Sequence, residues 1–197
     1  MNSSMNTATD GVAETVNGAV QHKEYRDRCE KVERLRAADI DPYPSQSQRT
    51  HRVADVLAEF EALSTKETDV TVAGRLMSLR QHGNLTFADV RDESGTIQVA
   101  ISKKDIGAEA YKLFTKLIDR SDFVQFRGTL FTTKTGVQSV KAVEWTLLCK
   151  ALRGVPTEHF GLEDEEERLR RRYLDILLHD DVATMVRQRS VFWQTLR

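Results

Sequence analysis

Between Val70 and Leu148 the apolar residues recur at every second position, in five separate runs. Period two is the signature of strands with one buried face. The runs cover Val70 to Leu79, Leu85 to Arg91, Thr96 to Ser102, Phe123 to Phe131 and Gln138 to Leu148, and a helical interval near Ala108 to Leu117 separates the third from the fourth. Gly95 and Gly136 read as hairpin turns. Gly74 and Gly128 lie inside runs and read as bulges where a small sheet bends.

Five strands with a helix after the third is the order of an OB-fold barrel, so the fold class is mainly β with helical appendages. Such a barrel binds oligonucleotides on the face of its second and third strands and in the neighbouring loops. Alternation sends Thr86, Ala88 and Val90 to one side of the second strand and Leu85, Phe87, Asp89 and Arg91 to the other. On the third strand Ile97, Val99 and Ile101 form the apolar set, which turns Gln98 and Ala100 outward. An exposed Phe87 ring beside an exposed Gln98 carboxamide is suited to a base: the ring stacks on it, and the carboxamide matches its hydrogen-bonding edge. The same pattern also describes a ring plugging a barrel end and a solvated glutamine.

The segment from Val70 to Lys150 carries twelve Lys and Arg against eight Asp and Glu, inside a 197-residue chain whose net charge is −1. That local excess favours RNA without excluding a protein partner. No apolar run is long enough to span a bilayer. Cys29 and Cys149 are isolated, with no CxxC or CxxH context, so neither a zinc site nor a disulfide framework is expected. Residues 1–22 hold hardly a large apolar side chain and predict a disordered tail, with neither the Arg content of a transit peptide nor the apolar core of a secretory signal. A cytoplasmic protein is expected.

Cys29, Val32 and Leu35 recur at near-helical spacing from Tyr25 to Ala38, and Asp41-Pro42-Tyr43-Pro44 stops that helix. Val53, Val56, Leu57 and Phe60 form the stripe of a second helix, Val53 to Leu63, with Thr50 its expected cap. Near the C-terminus an acidic run, Glu163 to Glu167, passes into Arg168, Arg170, Arg171 and Arg172; Glu166 with Arg170 and Glu167 with Arg171 are helix-supporting pairs. Val182, Met185, Val186, Arg189, Trp193 and Leu196 trace a last helical stripe. The expected organisation is a tail at 1–22, helices at 23–64, the OB-fold domain at 65–152, and a linker leading into a further domain at 153–197.

Several strings resemble one family, in order along the chain. They are Arg36-Ala37-Ala38-Asp39-Ile40-Asp41-Pro42-Tyr43-Pro44, Gly74-Arg75-Leu76-Met77-Ser78-Leu79-Arg80, Phe87-Ala88-Asp89-Val90-Arg91-Asp92, Gly95-Thr96-Ile97-Gln98-Val99, Thr133-Lys134-Thr135-Gly136, Lys150-Ala151-Leu152-Arg153 and Arg172-Tyr173-Leu174-Asp175. They resemble the class II lysyl-tRNA synthetases, in their anticodon-binding region and the entry to the catalytic domain. The resemblance implies that Phe87 stacks on the central anticodon uracil, that Gln98 hydrogen-bonds its edge, and that Arg80 belongs to the same RNA surface. It implies a full-length homodimer that attaches lysine to its tRNA through lysyl-adenylate, with ATP and Mg²⁺. No catalytic or metal-binding residue is expected within this chain, which reads as a fragment inactive by itself. The chain departs from the family pattern at Asp39 (usually Gly), Asn84 (usually Lys), Val137 (usually Glu) and Leu169 (often Tyr). Two other readings are a stand-alone OB-fold RNA-binding or assembly module, and a single-stranded DNA-binding protein.

Overall fold

The computed structural model describes residues 23–155 and 164–197. The tail expected at 1–22 and the first acidic residue, Glu163, lie outside the described residues. The chain divides into two compact units, Met1–Gly154 and Val155–Arg197.

In the first unit the strands are β1 (Val70–His82), β2 (Leu85–Arg91), β3 (Thr96–Ser102), β4 (Phe123–Thr132) and β5 (Gln138–Cys149). Their order is β1-β2-β3-β5-β4, and β4 pairs back onto β1, so the ring closes and leaves no long free edge. All neighbours are antiparallel except β3 and β5, which run parallel. A parallel pair needs a long crossover, and residues 103–137 supply it. The interior is filled by the inward set the alternation predicts, including Ala88, Val90, Ile97, Val99 and Ile101, each 1% exposed or less. Burial of the valines and isoleucines among them stabilises the ring by about 1.5–3 kcal/mol apiece.

Three register shifts bend the ring. Met77 is the extra residue on β1, and Val143 and Leu148 are the extra residues on β5. Gly128 sits at one of them as expected: a Cβ there would lie 1.9 Å from the Lys141 carbonyl oxygen. Gly74 is not a bulge. It is in regular register with Val124 of β4, but a Cβ would lie 2.5 Å from the Arg91 carbonyl oxygen, so close backbone approach explains the glycine.

The crossover contains α4 (Lys103–Ile106) and α5 (Ala108–Leu117). The short α4 was not expected; the Ser102 hydroxyl accepts from the Lys104 N–H to cap it, and Gly107 at φ 88° breaks it from α5. From α5, Phe114 packs edge-on against Phe126 at 5.9 Å and Trp145 at 5.5 Å.

The helix expected from Val53 to Leu63 is two helices, α2 (Val53–Ala58) and α3 (Phe60–Thr65), broken at Glu59 where φ is −103° and ψ 16°. Beyond the break Ser64 donates to the Leu130 carbonyl of β4. Thr50 is not the cap of α2, because its hydroxyl accepts from the Thr71 N–H. The capping acceptors come from the β2–β3 turn instead. Asp92 Oδ2 takes the Val53 N–H at 2.9 Å and Ser94 Oγ takes the Ala54 N–H at 2.9 Å.

Helix α1 occupies residues 23–37. It ends in a Schellman motif: Ile40 N–H bonds to Leu35 O, Asp39 N–H bonds to Arg36 O, and Asp39 adopts φ 59°. A buried ionic network fastens α1 to the strands. Lys150 Nζ lies 2.6 Å from both Asp119 and Asp122, Lys31 reaches Asp119, and Arg28 donates to the Ala151 carbonyl.

The second unit contains α6 (Glu165–Arg170), α7 (Arg172–Leu178) and α8 (Asp180–Leu196). Asp164 caps α6 by accepting from the Glu167 N–H, and the expected pairs Glu166–Arg170 and Glu167–Arg171 form at 2.6 and 2.9 Å. Asp175 is fully buried and gathers Arg168, Arg172 and His179. Of the α8 stripe only Val182 is buried, with its neighbour Ala183; Met185, Trp193 and Leu196 are exposed, as are Val191 and Phe192.

Candidate nucleic-acid interface

The outward face of β1, β2, β3 and β5 is organised by register into two rows of side chains. Each row is perpendicular to the strands, whose spacing is about 4.8 Å. One runs Arg80, Phe87, Ala100, Lys141; the other runs Ser78, Asp89, Gln98, Ser139. Arg80, Phe87 and Gln98, the three residues singled out from the sequence, therefore share one surface. Phe87 and Arg80 are direct cross-strand partners, and Gln98 is diagonal to Phe87, within reach of a common ligand.

Phe87 is half-buried rather than exposed. Ala100 belongs to the outward face as expected, yet it is only 5% exposed, because its methyl lies between the larger cross-strand partners Phe87 and Lys141. Lys141 itself pairs with Asp105 of α4 at 3.1 Å.

The second row is tied by hydrogen bonds. Arg80 grips Asp89 with two nitrogens, at 2.7 and 3.1 Å, and Ser78 Oγ donates to the same carboxylate. Burial pulls the Asp89 carboxyl upward, but the hydrogen bonds from Arg80 and Ser78, with the guanidinium charge, together hold it below the usual aspartate range. It is thus an anion at neutral pH, and Arg80 is held in one geometry. On the other side of the row Ser139 Oγ lies 3.0 Å from Gln98 Oε1 and 3.2 Å from the Val137 carbonyl oxygen.

Two turns flank this face. Between β1 and β2 the chain reverses at Gly83-Asn84, with Gly83 at φ 59° and the Asn84 carbonyl accepting from the Lys103 N–H. Between β4 and β5, Thr133 closes the Thr133–Val137 turn by exchanging backbone bonds with Val137 and Gly136, and the Val137 side chain is 42% exposed beside the Gln98 row.

Alternation alone placed Phe87 and Gln98. It carried no signal for Ser139, because the pairing of β3 with β5 joins segments that are not consecutive. Asp89 was visible as an outward charge, but its grip on Arg80 depends on the β1–β2 register, which the Met77 bulge shifts by one residue. A separate concavity of about 420 Å³, lined by Ile40, Leu113, Val143 and Trp145 among others, shares no residue with either row. Among the described residues no cluster of three or more His, Cys, Asp or Glu is arranged to hold a metal ion, and no helix is long and apolar enough to cross a membrane.

Residues 70–149 match the tRNA anticodon family model, described as an OB-fold nucleic acid binding domain. The chain is 43% identical over 171 residues to the lysine–tRNA ligase of Roseiflexus castenholzii, covering 86% of this chain and 35% of the relative. It is 38% identical over 179 residues to that of Gloeobacter violaceus, covering 87% and 36%, and 37% identical over 185 residues to that of Bacillus subtilis, covering 89% and 37%. The chain thus spans about a third of the length of the curated relatives it matches. Its strand order and these matches lead to one conclusion: the chain carries an OB-fold domain that matches the tRNA anticodon family over residues 70–149, and over most of its own length it is a homologue of part of the lysine–tRNA ligases.

Proposed function

We propose that this chain is the anticodon-binding part of a class II lysyl-tRNA synthetase. The observation that supports this most is the convergence of Phe87, Gln98 and Arg80 on one outward sheet face. In this reading Phe87 stacks on the central uracil of the lysine anticodon, Gln98 bonds to its edge, and Arg80, held in place by Asp89, turns its remaining N–H donors to the RNA. Phosphate attraction supplies much of the affinity, and the base contacts supply the selectivity. The organisation we propose is a tail at 1–22, helices at 23–64, the anticodon domain at 65–152, and 153–197 leading into the catalytic domain. The complete enzyme is a cytoplasmic homodimer that activates lysine with ATP and Mg²⁺ as lysyl-adenylate and esterifies it to the terminal adenosine of the tRNA. We assign no step of that chemistry, and neither ATP nor Mg²⁺, to side chains of this chain.

Titration against lysine anticodon stem-loops that differ only at the central base, at fixed salt, tests the proposal. The wild-type chain is expected to prefer uracil. Phe87→Ala should weaken binding by about 1–3 kcal/mol with little change in melting temperature. A core phenylalanine would behave differently, because its truncation costs about 3–5 kcal/mol of stability. Equal affinity for every central base would favour a nonspecific OB-fold module.

A further inference from the structure

We propose that Ser139 is a positioning residue for Gln98: it fixes which end of the carboxamide faces a bound base and makes the site select a base that offers a carbonyl oxygen. This rests on the anticodon reading above and concerns a residue that reading does not use.

Ser139 is fully buried, and the parallel β3–β5 pairing sets it beside Gln98. A hydroxyl has one proton to donate. Its two acceptors here are Gln98 Oε1 at 3.0 Å and the Val137 carbonyl at 3.2 Å, and the shorter contact is with the glutamine. Donation to Oε1 turns the Nε2 amine away from Ser139. The nearest competitor for that amine is Asp89, directly opposite Gln98 in the β2–β3 register. Asp89 is already engaged by Arg80 and Ser78. Among the described residues Nε2 makes no hydrogen bond to a protein acceptor, so its N–H groups are available to a ligand.

A uracil stacked on Phe87 offers keto oxygens to that amine. Cytosine puts an exocyclic amine where uracil has its O4, which sets donor against donor and leaves a polar group unmatched. If the Ser139 proton instead went to Val137, the carboxamide would be reversed, with Oε1 outward, and the preference would favour the amino base. Ser139 therefore sets selectivity, while stacking on Phe87 sets base-independent affinity.

The experiment measures the ratio of dissociation constants for stem-loops with central uracil and central cytosine, using the full 197-residue chain, for wild type, Ser139→Ala and Gln98→Glu. Wild type should favour uracil by at least about fivefold. Ser139→Ala, which frees the carboxamide to rotate, should bring the ratio to within about twofold while binding persists. Gln98→Glu keeps the shape and the Ser139 contact but cannot donate, so its uracil preference should be lost or inverted. A Ser139→Ala ratio equal to wild type, or a Gln98→Glu chain that still favours uracil, overturns the proposal. Should the melting curve show that Ser139→Ala does not fold, Ser139→Cys, similar in shape but a far weaker donor, takes its place: a ratio within about twofold supports the proposal and a wild-type ratio overturns it. Absence of discrimination by the wild type would instead count against the anticodon reading, which separates the two failures.

Discussion

Asp92 shows how much one side chain contributes. Its carboxylate is 2% exposed and accepts from the Val53, Ser94 and Gly95 N–H groups and from the Ser94 hydroxyl, so it closes the β2–β3 turn and caps α2 together. Burial raises its pKa, but the backbone bonds from Val53, Ser94 and Gly95 and the Ser94 hydroxyl outweigh that and hold the carboxyl below its ordinary value. A carboxyl depressed in the folded state contributes stability that is present above its unfolded pKa, about 3.9, and is lost as pH falls through the folded value. Asp92→Ala is expected to cost about 2–4 kcal/mol by urea denaturation at neutral pH, because a cap is lost and buried donors are left without an acceptor. Asp92→Asn keeps an acceptor and removes the titration, so its stability should fall less steeply than wild type's as pH drops below about 4.

At the scale of elements, the end of α1 and the β4–β5 bulge make opposite predictions. Asp39 occupies the left-handed position of the Schellman motif at φ 59° without a glycine's freedom. Asp39→Gly should therefore raise stability by about 0.5–1 kcal/mol, visible as a higher urea midpoint at unchanged slope. Gly128→Ala should do the reverse, because the added Cβ would meet the Lys141 carbonyl at 1.9 Å and the paired strands would have to separate. A loss of at least ~2 kcal/mol is expected, and a stability equal to wild type would mean that the bulge can open without cost. Helix α6 of the second unit follows local rules more simply, with an aspartate cap and acidic-to-basic pairs at one-turn spacing.

Across the first unit, the buried lysine joins parts far apart in sequence. Lys150 is 2% exposed and Asp122 fully buried. Burial pushes the Asp122 carboxyl upward, whereas Asp119, which burial also opposes, is held low by hydrogen bonds from Lys150 and Lys31. Lys150 N–H bonds to the Pro42 carbonyl and its own carbonyl accepts from Tyr43, so the same residue holds the extended segment after α1. Lys150→Met leaves two carboxylates without their main partner and is expected to cost about 3–5 kcal/mol, read by thermal or urea unfolding. A loss below ~1 kcal/mol would show that water or Lys31 replaces the ammonium.

Strand number, the inward set of β2 and β3 and the outward placement of Phe87 and Gln98 all follow from period two, because side-chain direction along a strand is a local property. The first strand ran three residues further than its alternation, since His82 still pairs with Leu85 across a two-residue turn whatever their polarity. The Asp92 cap on α2 and the Lys150 network could not be read that way, because each depends on a partner tens of residues distant. Ser139 belongs with them: nothing in its own segment distinguishes it, and it acquires a role only when a parallel pairing across the closed ring brings it within 3.0 Å of Gln98. Local chemistry decides which way a side chain points, and long-range register decides what it meets.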